Sequence, residues 1–213
     1  HSHRRLWLRS TCVLKTLEAK HVDGGRVAAL GKPWGPSRGE ALSGAYHLVW
    51  TRDLVETMGA LVAAGARGEA RQALTFLEIT QRPDGHWPQN MLLDGRRVWR
   101  REELDETALP ILLVELMRRE HLLDDDELDR AWPMIDRAAD HLVRSGPVTP
   151  LDRWEDTGGL TPFTVATQTA ALATAAALAR DLGGDRCARE LHAIAERWDA
   201  AIERWLYRRG GPL

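Results

Sequence analysis

Apolar positions recur at steps of three and four along most of the chain, the period of an α-helix with one face turned to a core. Between about 185 and 206 the stripe is Leu191, Ala195, Trp198, Ile202 and Trp205. Leu128, Trp132, Ile135, Ala139 and Leu142 draw a second one, which Pro133 must start or kink because proline lacks the N–H that continues a helix. The stretch from Asp105 to Arg119 differs. Leu109, Ile111, Leu112, Leu113, Val114, Leu116 and Met117 leave it hardly a polar face, which predicts a helix buried all round. Residues 165–182 are dominated by Ala, Thr and Leu, a composition that lets neighbouring helices approach closely. Weaker periodicity predicts helices over about 4–20, 52–65 and 68–81. No run alternates as a strand does, so the expected fold class is all-α, with seven helices and no sheet.

The connections alternate in length. Tight joints fall near Gly65 to Gly68, Leu123 to Asp125, and Gly183 with Gly184, whereas 21–46, 82–103 and 145–162 are long. Connections longer than about 12–15 residues in a compact domain are usually functional or disordered, and the Trp, Gly and charge content of these favours function. In a ring of antiparallel helix pairs alternate connections share one end, which puts all three long loops on one rim. The expectation is one partial α/α toroid domain over 1–213.

Composition narrows the function. With 29 basic and 31 acidic residues and a formal charge of −2, the chain lacks the electropositive footprint of a nucleic-acid binder. No apolar run reaches the roughly 18 residues of a membrane span. Cys12 and Cys187 make no disulfide framework and have no metal-ligand spacing, so neither cofactor nor metal is expected and the compartment stays open. The oligomeric state is open as well. The chain starts at His1 without Met and stops at Leu213 just after a helix-like stretch, which suggests a piece of a longer protein. Trp is unusually abundant, nine against two Phe and two Tyr. Trp7, Trp132, Trp198 and Trp205 fall in helix-like stretches and are expected in the core. Trp34, Trp50, Trp87, Trp99 and Trp154 fall in or beside loops, where stacking against a ligand is the stronger explanation.

Each long loop carries candidate chemistry. The first leads into Tyr46, Trp50, Arg52 and Asp53, an Arg and a carboxylate side by side after two aromatics, able to grip vicinal hydroxyls while a ring covers a sugar's apolar face; Asp53 as a helix cap is the competing explanation. The second places Trp99 six residues before Asp105, which serves a cap and a ligand contact equally well, and its Asp84–Gly85 pair is a turn signal only. The third holds Glu155 and Asp156 between Trp154 and the Gly158–Gly159 turn. A carboxyl beside an indole in an apolar-walled loop has its charged form disfavoured, as a general acid working near neutral pH requires.

YHLVWTRDLVETMGALVAAGA, DGHWPQN, a Trp six residues before the Asp of LDE, and DRWEDTGGLTP, in this order, resemble the catalytic domain of glycoside hydrolase family 15, the glucoamylase family, in its prokaryotic form. The resemblance runs from Pro33 to about Tyr207. It implies an (α/α)6 barrel, of which this chain supplies about seven of twelve helices. It also implies inverting, exo-acting release of glucose from an α-glucan or oligosaccharide substrate. Glu155 matches the general acid. Arg52 and Asp53 match the pair that holds the terminal glucose, with Trp50 and Tyr46 lining that subsite and Trp99 packing near the acid and the next sugar. Asp156 stands where the family usually has a second Glu, and Thr51 where many prokaryotic members have Pro. The family's general base, a Glu of the second half of the barrel, is not in this chain. Glucodextranase and trehalase share these motifs, so the α-1,6 and α,α-1,1 linkages stand beside α-1,4. A non-catalytic sugar-binding or regulatory relative is the alternative from another class.

Overall fold

The computed structural model describes residues 2–30 and 47–207; Trp34 and Tyr46 lie outside the described residues. Its helices are α1 (Ser2–Thr16), α2 (Thr51–Ala63), α3 (Arg67–Thr80), α4 (Leu104–Arg119), α5 (Asp125–Ser145), α6 (Pro162–Asp181), α7 (Asp185–Asp199) and α8 (Ile202–Leu206). Among the described residues extended backbone pairs only in isolated bridges, in keeping with the absence of strand alternation. No described helix is long and apolar enough to cross a membrane.

α4 packs against both α2 and α6, and α3, α5 and α7 each pack on the helix before them, with α1 against α2. The result is an arc of an α/α toroid, inner α2, α4 and α6 backed by outer α1, α3, α5 and α7. Sequence decides which helix goes where. α4 is buried without interruption from Leu104 to Ile111, and α6 buries Ala171, Ala175, Ala176 and Ala179, small residues that admit close neighbours on several sides. α5 and α7 bury one stripe each. Core side chains such as Leu113, Ile135, Leu142 and Leu172 are buried, and each contributes about 1.5–3 kcal/mol of transfer free energy.

Two expectations need correction and one is narrowed. α5 begins at Asp125, where Asp124 and Glu127 form a capping box, so Pro133 lies inside the helix and does not start it. The stretch from 185 to 206 is two helices, α7 and α8, parted at Ala200 and Ala201, where no glycine or proline marks the break. The tryptophans also divide differently. Trp198 is buried, and Trp132 and Trp205 pack against the core, but Trp7 is 49% exposed beside exposed Leu6 and Leu8. Trp87, expected at a ligand, is fully buried, and its Nε1–H donates to the Leu77 carbonyl at 3.1 Å.

The Asp84–Gly85 turn forms as predicted, with Gly85 N–H donating to the Arg82 carbonyl and Arg82 N–H to that of His86, both at 2.9 Å. Gly85 has φ +100°, and a Cβ there would lie 2.0 Å from the Arg137 carbonyl of α5. The turn is therefore seated directly on an outer helix. Gly85→Ala combines left-handed strain with a backbone clash and should lower the unfolding free energy by about 2–3 kcal/mol, read from urea denaturation.

Candidate active site

The N-termini of the three inner helices meet at the end that carries the long connections. Val49, at the end of the first connection, exchanges backbone hydrogen bonds with Met91 of the second, at 2.9 and 3.0 Å. That pairing sets Trp50, the residue before α2, against the second loop. Trp50 is 3% exposed, and Trp99 meets its ring edge-on at 5.7 Å between centroids and 84° between planes.

Arg52 is buried one residue into α2. Its Nη1 lies 2.6 Å from Glu103 Oε2, 2.7 Å from Asp105 Oδ2 and 3.4 Å from Glu106 Oε1, and its backbone N–H donates to Glu106 Oε2 at 2.7 Å. Thr164 of α6 donates its hydroxyl to Asp105 Oδ1 at 3.4 Å, so α2, α4 and α6 are joined through one polar cluster. Asp105 is thus neither the cap of α4, a position Glu103 occupies without a side-chain cap bond, nor a surface charge. It holds Arg52. Burial alone would lower the Arg52 pKa, but Glu106, Asp105 and Glu103 raise it above its ordinary value. Burial pushes Glu103 up to about 7 against the pull of Arg52, and desolvation raises Glu106 well above the carboxylate range. Asp53, exposed in the cleft at its tip, is also raised, by desolvation first and by Glu56 and Glu155 besides, against Arg52.

The third connection folds on itself. Thr149 and Gly159 exchange backbone bonds at 3.0 and 2.8 Å, Asp152 N–H donates to the Thr157 carbonyl at 2.7 Å, and Glu155 N–H to that of Asp152 at 2.8 Å. Glu155 sits at φ 61°, a left-handed conformation uncommon outside glycine and found preferentially where a site needs it. Its Oε1 accepts from Trp50 Nε1–H at 2.9 Å. The indole that engages the Glu155 carboxyl in this way belongs to Trp50; Trp154 is 77% exposed. The Arg153 guanidinium lies 5.2 Å above the Trp154 ring and 4.2 Å above that of Phe163.

A cleft of about 380 Å³ runs between the three loops, lined by Trp50, Arg52, Asp53, Trp99, Trp154 and Glu155 together with Ala28 and Arg153. Six of the residues singled out from sequence therefore share one cavity. Asp156 is exposed and does not line it; its N–H donates to Asp152 Oδ1 at 3.1 Å. Tyr46 falls outside the described residues. The sequence reasoning missed Glu103, Glu106, Thr164 and Arg153. The run Glu102-Glu103-Leu104-Asp105-Glu106 at the start of a helix with no polar face was the available signal, since such a helix buries some of those charges and they then need a cation. The arrangement presents a carboxyl beside an indole N–H, a second carboxylate next to a fixed guanidinium, and aromatic walls, which suits binding and acid chemistry on a polyhydroxylated molecule.

A sequence model for Glycosyl hydrolases family 15 matches residues 1–86 and 84–210. A glucoamylase from Clostridium sp. (strain G0005) is 35% identical over 208 residues, which is 98% of this chain and 28% of that protein. The crystal structure of a bacterial glucoamylase complexed with acarbose superposes with a TM-score of 0.88 at 33% identity, over 98% of this chain and 30% of that one. The glucoamylase from Saccharomycopsis fibuligera superposes at 0.66 with 17% identity over 85% of this chain and 43% of its own, a likeness of fold alone. The chain thus spans less than a third of the length of the bacterial relatives it matches.

The buried cluster should be visible in the pH dependence of stability. Glu103 rises from an unfolded value of 4.5 to about 7, so the folded state holds its proton more tightly than the unfolded state does. Its contribution is fully present below pH 4.5 and is lost as pH rises through 7. Glu103→Gln cannot lose that proton, so the difference in unfolding free energy between wild type and variant should shift in the variant's favour between pH 4.5 and 7. Denaturant titrations across that range measure it.

Proposed function

Because this chain belongs to family 15 of the glycosyl hydrolases, we propose that it is the acid-bearing N-terminal portion of an exo-acting, inverting α-glucosidase of glucoamylase type. Its substrate is the non-reducing end of an α-glucan. The observation that carries the proposal is the convergence of Trp50, Arg52, Asp53, Trp99 and Glu155, from the start of α2 and the two following long connections, on one cleft. Similarity to glucoamylases over nearly the whole chain supports it.

In this mechanism Glu155 donates its proton to the glycosidic oxygen as the bond from the anomeric carbon to that oxygen breaks. Water adds to the anomeric carbon from the opposite face and gives its proton to a carboxylate supplied by the rest of the toroid. One displacement inverts the configuration, a geometry that places the two carboxyls about 6.5–9.5 Å apart. Trp50 orients Glu155 through its N–H, and the left-handed backbone at Glu155 directs the carboxyl before substrate arrives. Asp53 accepts from hydroxyls of the terminal sugar while Arg52, fixed by Glu103, Asp105 and Glu106, holds the charge balance beside it. Trp99 walls the neighbouring sugar, and the resemblance to the family assigns Tyr46 to the terminal subsite. Trp154 offers its exposed face, and Asp156, off the cleft wall, contributes on the leaving-group side only.

Two substitutions in the complete protein that carries this chain test these roles. Asp53→Asn should lower kcat/KM on maltooligosaccharides by on the order of 10², about 2.7 kcal/mol, with little change in Tm. A helix cap would behave the other way, losing about 1 kcal/mol of stability while activity stays near normal. Glu155→Gln keeps the shape and removes the transferable proton, so kcat on glucan should fall by several orders of magnitude. The loss on glucosyl fluoride, whose leaving group needs little acid assistance, should be far smaller. Equal losses on both substrates would assign Glu155 to binding instead.

A further inference from the structure

A second cluster of titratable groups lies outside the cleft, where the connection between α3 and α4 meets the end of α5. Asp84 and His86 flank Gly85 in the turn seated on α5, and His141 stands in the last turns of that helix. One donor atom from each of the three lies within 4.8 Å of the others. His86 Nδ1 is 2.7 Å from Asp84 Oδ1, and the His86 and His141 rings lie 5.2 Å apart at 31°. His141 is buried. Its Nε2 is 2.5 Å from Glu102 Oε1, and its Nδ1 turns toward Asp84, 3.2 Å from that residue's carbonyl oxygen.

We propose that Asp84, His86 and His141 form a binding site for a divalent transition-metal cation of the zinc class, with Glu102 as the carboxylate that orients His141. Two imidazoles and a carboxylate are the donor set that such ions take in preference to calcium or magnesium. With Nε2–H of His141 donating to Glu102, Nδ1 of that ring is left to bind the ion once it gives up its contact with the Asp84 carbonyl, 3.2 Å away. A ligating histidine backed by a carboxylate is the usual outer-shell arrangement at zinc.

The backbone of the turn is also held in place. The close approach of Gly85 to the Arg137 carbonyl fixes the turn, and Gln81 Nε2 bridges the carbonyls of Gly85 and Met134 at 3.0 and 2.9 Å. Bonds of about 2.1 Å need donors about 3.4 Å apart, and the exposed Asp84 and half-buried His86 have the side-chain freedom to close that distance. The neighbouring cation, Arg144, donates to the Asp84 carbonyl at 3.1 Å and is offset by its ion pair with Asp140.

The bound ion would act as a staple. Asp84 and His86 stand near the start of the connection that carries Trp99, Glu102 stands at its end, and His141 belongs to an outer helix. One ion would tie all three together and reduce the freedom of the loop that walls the cleft.

The test uses the complete protein containing this chain, stripped by a chelator and titrated with zinc chloride by calorimetry near neutral pH. One site of micromolar affinity or tighter is expected. His86→Gln, at a half-buried position where the fold should persist, should weaken it at least about tenfold, and Glu102→Gln should weaken it by about 10–100-fold. His192→Gln, at an exposed imidazole on α7 beside Glu196, should leave it unchanged. Absence of zinc binding at about 100 μM, far above the Kd expected of such a site, would overturn the proposal. Equal affinity in wild type, His86→Gln and His141→Asn would do the same. Because the readout is metal binding, the result stands apart from whether the protein hydrolyses glucans.

Discussion

The buried guanidinium of Arg52 is the constraint on which the cleft depends. Taking a cation out of water costs several kcal/mol unless carboxylates meet it at close range with their remaining lone pairs satisfied. Here three carboxylates from the first turn of α4 and its approach surround one cation, at 2.6, 2.7 and 3.4 Å. Three negative charges on one positive charge would be self-defeating in a dry site. Burial pushes Glu103 up to about 7 and raises Glu106 well above the ordinary carboxylate value, the direction that relieves this excess. What this cluster secures is register, since α2 and α4 cannot slide past one another without separating Arg52 from its partners, and Thr164 extends the constraint to α6.

That register reaches Glu155 through Trp50. Trp50 stands in sequence between Val49, which pairs with Met91, and Arg52 of the cluster, and its ring meets that of Trp99. Its N–H is therefore aimed before Glu155 arrives from a loop 105 residues away in sequence. Glu155 in turn occupies a backbone conformation that costs a non-glycine residue roughly 1 kcal/mol. The turn bonds of Asp152 and the Trp50 hydrogen bond are the interactions that offset this locally.

Much of this was legible in the chain and some was not, for reasons that differ by residue. Apolar residues all round α4 and the Ala-rich α6 marked inner helices, and the alternation of short and long connections placed three loops on one rim, because both are one-dimensional patterns. Trp50, Arg52, Asp53, Trp99, Trp154 and Glu155 of the cleft were read from the loops so marked, whereas Arg153 was not. Trp87 and Trp154 were indistinguishable as loop tryptophans, although one is fully buried and the other 77% exposed, because a loop's sequence does not say which of its turns lies on the core. The Glu103 and Glu106 roles were missed since a charge run at a helix start ordinarily faces water. The Asp84, His86 and His141 group was invisible because its members lie in a turn and in a distant outer helix, and only tertiary packing brings them together.

The direction of the inner helices explains why so many carboxylates collect at this end. The long connections all lead into α2, α4 and α6, so the cleft is built at helix N-termini, where the aligned peptide dipoles favour negative charge. Asp53, Asp105 and Glu106 lie in first turns. The dipole contributes about 0.3–1 kcal/mol per group and at most about 2, however, which is less than the several kcal/mol that burying a carboxylate costs. Helix ends alone would therefore leave these acids either solvated or fully protonated. A guanidinium inside the cluster offsets part of that cost for the carboxylates in contact with it, while Asp53 lines the cleft beside it. The charge collected at these helix ends is thus held by one buried arginine, with Asp53 beside it at the cleft.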